Sequence, residues 1–317
     1  NLKKFSKFVN IYDKPDQYLK KHKSNVPLLG GIIVIINLLI FFSLEIFFET
    51  SFDNFIFSKK EQVSIFLLIF LFFLLGTYDD KFKLKPDTKF ILSILISILV
   101  LSLNKNLLIQ NINFSFLGKN IYLEEFSYFF TIFCIILLIN ALNFYDGING
   151  QSLIFFILVF SFLAFKSPIQ SFYIILILIC IFILFLNLKN KIFLGDSGIY
   201  TLGSLLVLLL IYEYNFFKTI KFADEIFLLL ILPGIDLLRL TCMRIISGKN
   251  AFYGDRNHLH HLLLKKYNLL KTNIILSLLA VFPTILFFIF KLNFFIVISL
   301  FTLIYLYLIK KLSNNDK

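Results

Sequence analysis

Ten apolar runs of 16 to 23 residues occupy most of this chain, about the length a helix needs to cross a bilayer. They lie at 28–48, 62–78, 88–104, 126–144, 151–166, 169–188, 198–213, 224–246, 272–290 and 293–310. The two-residue connections at 167–168 and 291–292 predict antiparallel helical hairpins. With 59% hydrophobic residues, 16% charged residues and a mean hydropathy of +0.87, the chain holds more apolar surface than a soluble fold of 317 residues can hide. That composition excludes a soluble globular enzyme and a disordered chain. Cys134, Cys180 and Cys242 all fall inside apolar runs, which excludes a disulfide scaffold. The expected fold is an all-α polytopic membrane protein of about ten transmembrane helices, forming a single domain over 1–317.

The charges are sorted by side. Loops on the side of the N-terminal segment hold 23 of the 31 Lys and Arg residues, and the opposite loops hold eight. The positive-inside rule makes the first side cytoplasmic. The net charge of +12 is therefore read as orientation, and no nucleic-acid partner is expected. The cytoplasmic side also holds ten Asp, no Glu and all four His, while the other side holds seven Glu and two Asp. Short carboxylates and imidazoles gathered on one face predict chemistry there, in loops at 1–27, 79–89, 144–150, 189–197 and 247–271.

Four clusters stand out. Asp79-Asp80 ends the second run; two adjacent carboxylates repel, and a hard divalent cation such as Mg2+ would offset them. A solvated helix end beside four lysines is the plainer alternative. Asn140, Asn143 and Asp146 recur every three residues along one helix face, ahead of Gly147 and Gly150. Gly195-Asp196-Ser197-Gly198 opens the seventh run, where Asp196 is either a helix N-cap or a ligand. Pro233-Gly234 predicts a kink in the eighth run ahead of Asp236 and Arg239. Arg256-Asn257-His258-Leu259-His260-His261 follows. With no Cys or fourth ligand nearby, its histidines and arginine suit anionic oxygens better than zinc.

At these residues the sequence resembles the polyprenyl-phosphate N-acetylhexosamine-1-phosphate transferases, the WecA and MraY group. Asp13-Lys14-Pro15, Lys21-His22, Pro27 and Gly30-Gly31 resemble the family's first cytoplasmic loop. Asp79-Asp80 resembles its paired aspartates, with Lys89 as the basic residue after them. Asn140, Asn143, Asp146 and Gly147 resemble its Asn-rich Asp-Gly segment, and Gly195 to Gly198 its later Gly-Asp motif. Asp236, Arg239, Arg244, Gly248 and Arg256 to His261 resemble its last loop, in the WecA-like form. Asn149 departs from the second Asp of many members, and Ile199 from a common Ser. Family members usually carry one more helix before the first loop, so a missing N-terminal helix is expected.

The resemblance implies transfer of N-acetylhexosamine 1-phosphate from a UDP-sugar to polyprenyl (undecaprenyl) phosphate with release of UMP, the first membrane step of a cell-envelope glycan pathway. It implies an Mg2+-dependent enzyme, with Mn2+ a substitute, in the plasma (inner) membrane. Its partners are a UDP-N-acetylhexosamine, the polyprenyl phosphate and the bilayer, and a homo-oligomer is compatible with it. Asp79, Asp80 and Asp196 are expected at the metal, and Asp79, Asp80 and Asp146 in catalysis. Lys89, Asn143, Asn149, Arg256, His258, His260 and His261 are expected to bind substrate. Direct in-line attack ranks above a covalent intermediate on Asp146. A transporter is the alternative from another class, although few polar residues lie deep and no internal repeat is evident.

Overall fold

A computed structural model describes residues 2–13, 15, 25–48, 59–248 and 257–313. Each apolar run is helical: α2 (Gly30–Phe48), α3 (Lys59–Phe82), α4 (Pro86–Leu103), α5 (Phe126–Tyr145), α6 (Gln151–Lys166), α7 (Gln170–Leu188), α8 (Gly195–Asn215), the pair α9 (Ala223–Leu229) and α10 (Ile231–Ile246), α12 (Leu269–Phe288) and α13 (Phe294–Ser313). Short helices α1 (Leu2–Val9) and α11 (Leu259–Lys266) complete the set. Among the described residues, seven helices are long and apolar enough to cross a membrane, and an eighth counts if α9 and α10 form one broken span. The apolar parts of α2 and α6 are shorter. The expected hairpins form, α6 packing on α7 and α12 on α13.

The break in the eighth run falls at Leu230, with a bend of 76°. It precedes the Pro233-Gly234 pair. Pro233 thus sits in the first turn of α10, where a missing N–H costs nothing.

Helix α8 is the axis of the bundle, buried along almost its whole length and packed by α2, α3 and α5. The polar residues in its first half after Asp196 are small: Ser197, Thr201 and Ser204 are buried, and the Thr201 and Ser204 hydroxyls donate to carbonyls one turn back. Small residues suit a helix enclosed by others, because in lipid the association of helices rests on close packing. Two ends result. At one, the two-stranded ribbon β3 (Asn111–Ile112) and β4 (Ile121–Tyr122) packs beside α9, Ala223 N–H donating to the Asn113 carbonyl at 2.7 Å. At the other, β1 (Tyr12–Asp13) pairs with β2 (Val26–Pro27), and the chain after β2 clamps the start of α8. There Phe193 N–H donates to the Pro27 carbonyl at 3.0 Å and Gly30 N–H to the Phe193 carbonyl at 3.1 Å.

Candidate active site

The end holding β1 and β2 collects the described motif residues. Asp79 is buried near the end of α3; Leu84 N–H donates to its Oδ1 at 2.8 Å, and Lys89 Nζ pairs with its Oδ2. The same ammonium lies 3.5 Å from Asp196 Oδ2 in the first turn of α8. One lysine therefore stands between two carboxylates from different helices.

Asp80 has a different task. Its Oδ1 accepts the Asp196 N–H at 2.8 Å and its Oδ2 the Ser197 N–H at 3.0 Å. These are orphan donors of a helix N-terminus, and a carboxylate there also meets the positive end of the helix dipole. Asp80 on α3 thus caps α8 across the bundle, and no side chain at the Leu194 N-cap position does so. This corrects the N-cap alternative for Asp196, which stands inside the first turn with a partly exposed side chain. Gly195 makes the approach feasible: it has φ +74°, and a Cβ there would lie 2.7 Å from Asp80 Oδ2.

Asp146 follows α5, and its backbone N–H donates to the Leu142 carbonyl. Burial, helped by the charge of Asp80, pushes its carboxyl up to about 6. The polar stripe read before it only partly converges. Asn140 donates back to the Ile136 carbonyl of its own helix at 2.8 Å, and Asn143 is half-buried one turn further on. Asn149 points toward the end of α7, its Nδ2 donating to Asn190 Oδ1 at 2.7 Å and to the Asn187 carbonyl at 3.3 Å. Asn187 Oδ1 in turn accepts Gly150 N–H at 2.7 Å, and Asn273 of α12 donates to the Asn149 carbonyl at 2.9 Å. The loop carrying Asp146 is latched to the turn preceding Asp196 by asparagines, of which sequence reading singled out Asn149 alone.

The histidines form a second group. His258 Nδ1 lies 2.8 Å from Asp236 Oδ2, and Asp236 Oδ1 accepts from Arg239 Nη2 at 2.9 Å, Tyr305 Oη at 2.5 Å and Leu259 N–H at 3.3 Å. His258 stacks on His260, with ring centroids 5.3 Å apart. His260 is buried beside Gln151, whose amide stands 3.3 Å from its Nδ1, and burial holds this imidazole well below its usual range. A Cβ on Gly147 would overlap the His260 ring at Nε2, so the glycine is required by close approach. His261 packs against His260 at 4.3 Å and is the more exposed of the two. Arg256, Lys21 and His22 lie outside the described residues. Among the described residues, Asp236, His258 and His260 can each bring one ligand atom within 4.8 Å of the others. Arg239 already neutralises Asp236, whose two oxygens take four partners, so this group reads as an ion-paired anchor for the 257–259 turn. Neither Asn187 nor Tyr305 was legible as a site residue: one lies at the end of an apolar helix and the other inside an apolar run.

A cluster of acids around one lysine, at one end of a bundle of membrane-length helices, is the candidate active site. The family model described as "Glycosyl transferase family 4" matches residues 62–213. The chain is similar to the undecaprenyl-phosphate alpha-N-acetylglucosaminyl 1-phosphate transferase of Escherichia coli (strain K12), 27% identical over 280 residues, 83% of this chain and 71% of that protein. The Salmonella typhimurium protein of the same name is 26% identical over 269 residues, 81% and 70% of the two chains. A probable undecaprenyl-phosphate N-acetylglucosaminyl 1-phosphate transferase of Bacillus subtilis is 24% identical over 273 residues, 83% and 72%. These likenesses support a place for the chain among the polyprenyl-phosphate N-acetylhexosamine-1-phosphate transferases.

Proposed function

We propose that this protein transfers N-acetylhexosamine 1-phosphate from a UDP-sugar to polyprenyl phosphate, releasing UMP, at the cytoplasmic face of the plasma membrane. An oxygen of the lipid phosphate forms a bond to the β-phosphorus of the donor, and the bond from that phosphorus to the bridging oxygen breaks to leave UMP. About ten helices cross the membrane in this reading, α2 and α6 included, which puts every described motif residue at one end. The observation that carries it is Lys89 held between Asp79 and Asp196, with Asp80 and Asp146 close enough to act on one another electrostatically. Four carboxylates with one ammonium, held by two of them, leave excess negative charge, and phosphoryl transfer is catalysed mainly by positioning and charge neutralisation.

The donor set fits Mg2+: these are hard oxygen ligands, and their surplus charge calls for a cation. Asp79 and Asp196 would hold it, and the bound ion would neutralise the diphosphate. Asp80 fixes the α8 turn that presents Asp196. Lys89 balances the carboxylates before substrate arrives. Asp146 and Asn143 face the donor, while Arg256 and the half-buried His261 meet phosphate oxygens. Asp79 takes a proton from the acceptor phosphate when that oxygen arrives protonated. The transporter alternative requires a polar site near the midplane; the middle of α8, Leu205 to Leu210, is apolar and buried. The test is direct: purified protein with Mg2+, polyprenyl phosphate and UDP-N-acetylglucosamine should release UMP, at a rate that depends on the lipid. No UMP with any of several UDP-N-acetylhexosamines would reject the reading.

A further inference from the structure

Helix α13 is a peripheral helix, with most of its span turned away from the protein. Yet Tyr305 in its interior is fully buried, and its hydroxyl enters the polar anchor described above. Tyr305 Oη donates to Asp236 Oδ1 at 2.5 Å and accepts from Arg239 Nε at 2.7 Å. Arg239 Nη2 returns to Asp236 Oδ1 at 2.9 Å and also reaches the Asn257 carbonyl at 2.7 Å. Asp236 Oδ2 meets His258 Nδ1, and Asp236 Oδ1 takes the Leu259 N–H. The result is a closed circuit, Tyr305 to Asp236 to Arg239, that grips the turn 257–259 by one side chain, one carbonyl and one N–H. A carboxylate on Nδ1 fixes which nitrogen of an imidazole carries the proton and which way the ring faces. The ring it fixes stacks on His260 and on Phe144, two residues before Asp146.

We propose that Tyr305 is a positioning residue for the transfer reaction: its hydroxyl, through Asp236 and Arg239, sets the orientation of His258 and of the turn that presents the histidines to phosphate oxygens. The inference rests on the reading given under Proposed function. Neither motif spacing nor hydropathy points to Tyr305, which lies 44 residues beyond His261 in an apolar run.

The experiment measures UMP release by the full chain in detergent with polyprenyl phosphate, UDP-N-acetylglucosamine and Mg2+. Tyr305→Phe keeps the ring, stacked on Phe301 at 6.3 Å, and deletes only the hydroxyl. Its kcat should fall about tenfold to a hundredfold, the scale of one lost hydrogen bond to a charged group, with KM for either substrate within about twofold. Phe301→Leu, a neighbour in the same buried face, should lower the melting temperature at least as much yet keep kcat. The deciding readout is a double-mutant cycle: in a His258→Ala background, Tyr305→Phe should cost little further rate, because the hydroxyl acts through the ring already removed. Arg239→Lys, which withdraws the donor to Tyr305 and keeps the charge, should behave like Tyr305→Phe and replaces it should that variant not accumulate. Equal kcat in Tyr305→Phe and wild type, or full additivity with His258→Ala, overturns the proposal while leaving the transferase reading standing. No UMP from wild type overturns both.

Discussion

The two ends of the bundle both bury carboxylates, and they treat them in opposite ways. At the β3–β4 end, Glu213 is fully buried and receives hydroxyls from Tyr173, at 2.7 Å, and from Thr219. Asp224, equally buried, receives the Ser115 N–H at 3.1 Å and the Ser115 hydroxyl. Glu213 and Asp224 thus have neutral donors of their own, and together they tie loops to helix ends. At the opposite end, Asp79 and Asp196 share one ammonium, Lys89, while Asp80 and Asp146 act on one another electrostatically. Satisfied buried acids hold a structure together, whereas crowded acids carry a cost that folding alone does not repay. The difference separates the scaffold from the working end without reference to any motif.

The contrast can be broken by substitution. Lys89→Met removes the cation between Asp79 and Asp196 and should have the largest effect. About 3 kcal/mol of stability should go, the low end for breaking a buried pair because Lys89 keeps some exposure. UMP release should be lost as well; a stable, active Lys89→Met protein would mean that the acids do not depend on this charge. Gly147→Ala forces a methyl into the His260 ring and should cost roughly 1–3 kcal/mol by overpacking. Activity should drop with it, which melting and rate measurements on one preparation would check. At the scaffold end, Glu213→Ala orphans the Tyr173 and Thr219 hydroxyls and should lower stability by about 1–3 kcal/mol. Turnover of the folded fraction should stay within a few fold of wild type; a large loss of kcat would erase the distinction between the ends. The smallest effect concerns pH. Folded His260 resists protonation, while the unfolded chain takes up that proton near the ordinary value of 6.5. The unfolded state therefore binds more protons below about 6.5, and its linkage to His260 should make the melting temperature fall as pH drops through that value. In His260→Gln this part of the pH dependence should flatten.

How much of this was legible beforehand follows from what is local. Apolar length located the long helices but not α1 or α11, because crossing a bilayer is a property of one segment, and the asymmetry of Lys and Arg sorted the loops by side. Asp79, Asp80, Asp146 and Asp196 stood out because carboxylates at the ends of apolar runs are costly. Partner choice was not legible. That Asp80 caps α8, 116 residues later in the chain, depends on how two helices pack, and nothing near Asp80 announces it. The same holds for Asn187 and Tyr305, polar groups that look like incidental breaks in apolar runs until Gly150 and Asp236 arrive beside them. Asn140 shows a further limit of spacing, which aligns it with Asp146 but does not reveal that its amide donates to its own helix. Pro233 marked the broken helix but not the residue at which it breaks.

The central claim is that Asp196, set by Asp80 and paired with Lys89, works with a divalent cation on the transferring phosphoryl group. Asp196→Asn leaves the backbone N–H groups that Asp80 accepts untouched, so folding is expected to survive it. An amide binds a hard cation far less well than a carboxylate does. UMP release by Asp196→Asn, titrated with Mg2+ alongside wild type, should therefore fall on the order of a hundredfold to a thousandfold, need more Mg2+ for what activity is left, and come from protein with a wild-type melting temperature. Near-normal release at limiting Mg2+ would contradict the account.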